Sequence, residues 1–312
     1  MNKHIILIHG RHFKPEQQQF EAIWLAALRH GIARDYDKEK VKLWDDTQKT
    51  MVYFGDLSNE FLSDIEKEYN EEADVADRQK VLDALKRYDR SAFEGRQGKA
   101  NYEKLPGKSS RMEFLADTLA EPLAIFGLSE RLLSSGFPDL LEYWNRDTAF
   151  GSNVRWRLTV PLAQALREEQ EVLLLAHSLG TQISYDVLWK FSHYGEYQDL
   201  RQQKVSLWVT LGCPLGNNTF KKNLKGADAD GRRKYPHNIR RWVNIAAEDD
   251  YISHDETVAD DYRRMKKWGL VDSIVDHRVY NLAVRKGTSN PHHSVGYLIH
   301  PTVSRIVADW LG

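Results

Sequence analysis

The chain has 312 residues, 41% of them apolar, enough to bury the core of one large α/β domain or of one domain with a sizeable insertion. Its 44 Lys and Arg residues offset 45 Asp and Glu to a net charge of −1, so no overall field draws it to nucleic acid or anionic lipid. One cysteine, Cys213, excludes an internal disulfide and a cysteine-rich metal site. No apolar run reaches membrane-span length and the first one is too short for a signal peptide, so a soluble cytoplasmic protein is expected.

Residues 5–8 read as a first strand, followed by the polar loop His9-Gly10-Arg11-His12. Phe20, Ile23, Trp24, Ala27 and Leu28 recur at helical spacing, and Gly31 is expected to stop that helix. A second strand covers about residues 50–54. The stretch from Leu57 to Glu171 is far longer than the dozen or so residues a crossover needs. Within it, residues 59–90 are charged and helix-forming, with Phe61, Ile65, Val81, Leu82 and Leu85 as a sparse apolar face. Residues 96–110 read as a linker, 114–133 are more apolar, and 137–144 add aromatics. A helix over about 159–166 leads back to the sheet. The expected division is a core of residues 1–56 and 155–312 and a mainly helical insertion over 57–154, acting as a cap or lid over a site or as a contact for a homo-oligomer.

Val172, Leu173, Leu174 and Leu175 are the signature of a strand buried on both faces. Beyond Gly180 the pattern becomes helical, with Leu179, Ile183, Val187, Leu188 and Phe191 on one face. Ser178 therefore lies where a strand meets a helix N-terminus. The small residues Ala176 and Gly180 let the two elements approach, so the turn can hold the serine strained with Oγ exposed. The N–H of Leu179, at the helix start, would face a developing oxyanion. Residues 205–211 form a fourth strand, and 241–246 a fifth that ends at Glu248, Asp249 and Asp250. A sixth over about 276–284 precedes the loop carrying His292 and His293. Val303, Ile306, Val307, Trp310 and Leu311 mark a last helix. Strands separated by helices and lacking strict alternation predict a three-layer α/β/α sandwich with a mostly parallel central sheet and a helical insertion.

In such a sheet the loops at the carboxyl ends of the strands share one crevice. That brings together His9, Gly10 and Arg11, then Ser178, then the acidic residues, then the paired histidines, in the chain order Ser, acid, His. The N–H after Gly10, that of Arg11, can donate to an oxyanion. The basic run Lys221, Lys222, Lys225, Arg232, Arg233 and Lys234 alternates with acids and reads as a solvated loop rather than a phosphate site. No Gly-x-Gly-x-x-Gly or Gly-Lys-Ser/Thr follows the first strand, which argues against a nucleotide fold. No metal-ligand spacing occurs, and neither metal nor cofactor is expected.

These segments resemble the α/β-hydrolase superfamily, in its lipase and serine-esterase branches, over residues 1–56 and about 155–312. Ile-Leu-Ile-His9-Gly10 looks like the oxyanion loop and Ala176-His-Ser-Leu-Gly180 like the nucleophile elbow, with Ala176 in place of the usual first glycine. Thr210-Leu-Gly-Cys-Pro-Leu215 is similar to the stretch after the next strand, with Cys213 where serine is frequent. The resemblance implies Ser178 as nucleophile and Asp250 as acid, with Asp249 the alternative. It implies His293 as base, placed just before Tyr297, with His292 the alternative. The backbone N–H groups of Leu179 and Arg11 would form the oxyanion hole, and Ala176, His177, Gly180, His9 and Gly10 would shape it. The implied reaction is hydrolysis of a small-molecule acyl substrate, an ester before a thioester or amide, through an acyl-enzyme. Phe126, Leu128, Phe137, Leu140, Trp144 and Trp156 are candidates for an acyl pocket or, equally, for the cap's own core. An acyltransferase with the same groups, or a non-catalytic scaffold that binds a ligand or protein, are the alternatives.

Overall fold

The computed structural model describes residues 2–65, 67–107, 136–253 and 257–312. Strands β1 (Lys3–Ile8), β2 (Gln48–Val52), β3 (Glu171–His177), β4 (Val205–Leu211), β5 (Ile239–Ala247) and β6 (Ser273–Val279) form one sheet in the order β2-β1-β3-β4-β5-β6. Every pairing in it is parallel. Two short strands, β7 (Val284–Arg285) and β8 (Thr288–Ser289), pair antiparallel outside that sheet. Helices α1 (Gln17–Asp35) and α2 (Lys38–Asp46) follow β1. Between β2 and β3 lie α3 (Gly55–Asp64), α4 (Glu71–Leu85), α5 (Gly95–Glu103), α6 (Pro138–Trp144) and α7 (Phe150–Arg167). Then come α8 (Leu179–His193) after β3, α9 (Asn218–Lys222) after β4, α10 (Arg263–Lys267) before β6, and α11 (Ser294–Leu298) and α12 (Pro301–Leu311).

The pleat divides the core in two. Ile6 and Ile8 of β1, with Leu174 of β3, pack toward Leu158 and Leu162 of α7 and Ile183 and Val187 of α8. Ile5 and Leu7, with Leu173 and Leu175, face Phe20, Trp24 and Leu28 of α1 and Val303 and Val307 of α12. The four β1 residues are fully buried, and each contributes about 1.5–3 kcal/mol relative to exposure. The layout is thus a parallel sheet flanked by helices on both faces, with extra helices inserted after β2. Among the described residues no helix is long and apolar enough to cross a membrane.

Some boundaries differ from the sequence reading. Helix α1 runs through Gly31 instead of ending there, and the glycine serves packing: a Cβ at that position would lie 2.4 Å from Ser304 Oγ. The glycine lets α12 approach α1. The segment read as a linker begins as α5, held by the buried Tyr102, whose hydroxyl donates to the carbonyl of Glu248 at 2.9 Å. On α3 it is Leu62 that is buried, while Ile65 just beyond is exposed. Strand β6 begins at Ser273, earlier than expected, and is mostly half-buried, as suits the edge of the sheet. The apolar stretch at 114–133 lies outside the described residues.

Candidate active site

The register of the sheet puts Ile8 beside Ala176 and His177 beside Leu211, so the loops after β1, β3 and β4 leave the sheet at one level. Ser178 is the hinge between β3 and α8, with φ 55° and ψ −126°. That backbone conformation costs a non-glycine residue about 1–3 kcal/mol. It is held by Ser178 N–H donating to the Leu211 carbonyl at 2.9 Å and by Thr181, whose N–H and hydroxyl both donate to the Ser178 carbonyl. Close approach explains the neighbouring glycines. A Cβ on Gly10 would sit 2.6 Å from Ser178 Cβ and one on Gly180 2.5 Å from the His9 carbonyl oxygen. Ala176 tolerates its methyl because that side chain is buried in the helix-facing core, away from this contact.

Ser178 Oγ lies 2.9 Å from His292 Nε2, and His292 Nδ1 lies 2.9 and 3.0 Å from the two carboxylate oxygens of Asp250. An ionised carboxylate only accepts, so Nδ1 carries the proton and Nε2 is left to accept from the serine hydroxyl. Burial pushes the Asp250 carboxyl up, but His292, the Tyr297 hydroxyl and the Ile252 N–H outweigh it and hold the group below the usual carboxylate range. Tyr297 donates to Asp250 Oδ2 at 2.6 Å and accepts the Ala247 N–H at 2.8 Å. Gly212, at φ +55°, lies under the pair; a Cβ there would be 2.9 Å from His292 Nδ1 and 3.0 Å from Asp250 Oδ2.

The histidine preferred from sequence is not the one in contact with the serine. His293 is buried, and among the described residues neither of its ring nitrogens has a hydrogen-bond partner. Burial, and then the charges of Arg78 and Arg285, push its pKa well below the ordinary value, so it is neutral. The loop turns the other way because three successive carbonyls are fixed: Asn281 Nδ2 donates to those of Pro291 and His293, and His177 Nε2 donates to that of His292. Of the two acids, Asp249 accepts from the Tyr102 hydroxyl at 3.1 Å, and Asp250 meets His292. The clamp by Asn281 and the close approach at Gly212 carry no signal in the sequence, and His177, expected to shape the elbow, also fixes the His292 carbonyl.

The His9 loop is braced in the same manner. Phe54 N–H donates to His9 Nε2 at 3.1 Å, so Nδ1 is protonated and donates to the Gly10 carbonyl at 2.7 Å. The ring stacks on Phe54 with centroids 4.0 Å apart. Asp139 of α6 takes the Arg11 guanidinium at 2.6 Å and the His12 N–H at 2.7 Å, while Lys14 donates its ammonium to the Arg11, His12 and Phe13 carbonyls. Leu179, as the first residue of α8, has no carbonyl one turn earlier to receive its N–H. Cys213 is buried and its thiol is pushed up to about 11 by burial, so it stays protonated.

Of the residues considered for an acyl pocket, Phe137 and Leu140 are buried in the core, Trp144 is half-buried, and Trp156 is 58% exposed. Phe126 and Leu128 lie outside the described residues. Among the described residues no group of three or more His, Cys, Asp or Glu side chains is placed to hold a metal ion. Comparison with protein-family models, with curated proteins and with solved structures gives no match to this chain.

Proposed function

We propose that the protein is a serine hydrolase of the lipase and esterase type, cleaving a carboxylic ester through an acyl-enzyme on Ser178. The observation that carries this reading is the continuous hydrogen-bond path from Ser178 through His292 to Asp250, starting at a serine in a strained turn at the carboxyl end of a parallel sheet. As Oγ attacks the acyl carbon, its proton passes to His292 Nε2, and the carbonyl oxygen gains the charge. Asp250 holds the imidazole in the accepting tautomer and favours the imidazolium that forms. In this reading the N–H groups of Leu179 and Arg11 donate to the oxyanion. The imidazolium then gives its proton to the departing alcohol. A water deprotonated by the same nitrogen attacks the acyl carbon and releases the acid and the free serine.

Labelling with a fluorophosphonate tests this assignment. The wild-type protein is expected to gain one covalent phosphonyl group on the peptide containing Ser178, and Ser178→Ala to gain none. Equal labelling of that variant would remove Ser178 from the role.

A further inference from the structure

A second cavity lies along α8, away from the serine. Its volume is about 640 Å³, within the range of small-molecule sites, and it opens between α6, α7, α8 and the loop after α9. Its α8 wall, Asp186 and Trp189, lies two to three turns beyond Ser178, about 12–16 Å along the helix axis. It is therefore separate from the centre at the helix start.

Four cations line it, Arg146 and Arg155 on one side and Lys225 and Arg233 on the other, against only Asp186 and Asp228. Among the described residues none of the four has a carboxylate within ion-pair distance. Arg155 lies over the Tyr143 ring and Lys225 over that of Tyr194, with the charge 5.1 and 5.8 Å from the ring centroids. Asp186 is buried and already accepts the Tyr143 hydroxyl at 2.7 Å and the Lys225 N–H at 2.8 Å. Burial, followed by the charge of Arg155, pushes the Lys225 ammonium down, while Arg155 itself, against burial, is pushed up by Tyr143 and Asp186. Of the basic run that reads in sequence as solvated loop, Lys225 and Arg233 line the cavity, while Lys222, Arg232, Arg233 and Lys234 are exposed on that segment. Its position is fixed by Trp189, whose Nε1–H donates to the Arg233 carbonyl at 2.9 Å.

Cations gathered around one cavity repel one another unless an anion joins them, and a guanidinium fork matches phosphate oxygens. Trp144 and Trp189 add apolar ring surface to the walls. We infer that this cavity binds a phosphate-bearing small molecule of nucleotide size, at a site distinct from Ser178.

Titration calorimetry with inorganic pyrophosphate and with AMP, run beside tryptophan fluorescence, tests it. Both probes are expected to bind saturably, AMP the more tightly, with affinity unchanged in Ser178→Ala. Arg146→Gln and Lys225→Gln are each expected to weaken binding about tenfold or more, as loss of a charge-assisted contact does. Arg146 is exposed, so its replacement leaves the fold intact, which circular dichroism checks. Absence of saturable binding by either probe up to about 10 mM, or equal affinity in the Arg146→Gln and Lys225→Gln double variant, would overturn the proposal. AMP binding no tighter than pyrophosphate would overturn the assignment of nucleotide size.

Discussion

Replacing Tyr297 by Phe removes a single oxygen from a fully buried side chain, and that oxygen holds two groups at once. It donates to Asp250 Oδ2 at 2.6 Å and accepts the Ala247 N–H at 2.8 Å. An orphaned buried N–H costs about 1–3 kcal/mol and a lost bond to a charged acceptor about 1.5–3, partly offset because His292 and Ile252 still donate to Asp250. The expected loss of stability is about 2–4 kcal/mol. Loss of this donor also raises the Asp250 carboxyl, because the hydroxyl is one of the contacts that keep it low. The native carboxyl lies below its unfolded value, so its stabilising effect is present above about pH 4 and is lost as pH falls through the native value. The destabilisation of the variant should therefore shrink at low pH. On an ester substrate, kcat should fall about 10- to 100-fold from a loosened imidazole, with KM little changed. The acid limb of the rate profile should move to higher pH. Urea unfolding at neutral and acid pH, with kcat and KM on a p-nitrophenyl ester across pH, measures all of these. Wild-type kcat with an unmoved acid limb would refute the role given to Tyr297, even if stability dropped.

Gly10→Ala should lower kcat by about a hundredfold, because the new methyl cannot fit 2.6 Å from Ser178 Cβ and the serine proposed as nucleophile must move. Gly31→Ala, with a comparable overlap against Ser304, should cost stability and leave specific activity intact, and an equal activity loss in both would contradict this. The buried histidines His9, His177 and His293 have native pKa values well below 6.5, so the unfolded chain takes up protons that the native one does not. Their contribution is fully present above about pH 6.5, and each then removes about 1.4 kcal/mol of stability per pH unit as pH falls. His293→Leu should remove one such share and, since its ring has no hydrogen bond to lose, should gain stability of about 1 kcal/mol near pH 7.5; an unchanged pH slope in urea titrations would refute this.

The sheet was legible because its strands are buried on both faces. Ile5 to Ile8 and Val172 to Leu175 leave no polar position for a helix to present to solvent, and both became central strands. Strand β6, at the edge, carries Asp276, His277 and Arg278 among its apolar residues and was placed several residues late. The serine turn was readable from local chemistry alone, since small residues flank a strand end and a helix start. The choice between His292 and His293 was not, because the two are neighbours of the same type. What separates them is a carbonyl clamp from Asn281 and His177, and the His177 side chain lies far away in sequence. Helix α5 was hidden by composition: Arg96, Gln97, Gly98 and Lys99 look like linker, and the element is fixed by Tyr102 reaching the acidic loop after β5. The cations of the second cavity alternate with acids in sequence, and only the folded loop brings Lys225 and Arg233 opposite Arg146 and Arg155.

In the proposed reaction His292 relays the proton of Ser178. Steady-state ester hydrolysis by His292→Ala and His293→Ala, with folding verified by circular dichroism, tests it most directly. His292→Ala is expected to lose about 10⁴-fold or more in kcat, while folded His293→Ala stays within about tenfold of wild type. Near-wild-type turnover by His292→Ala, with activity abolished in a folded His293→Ala, would contradict it.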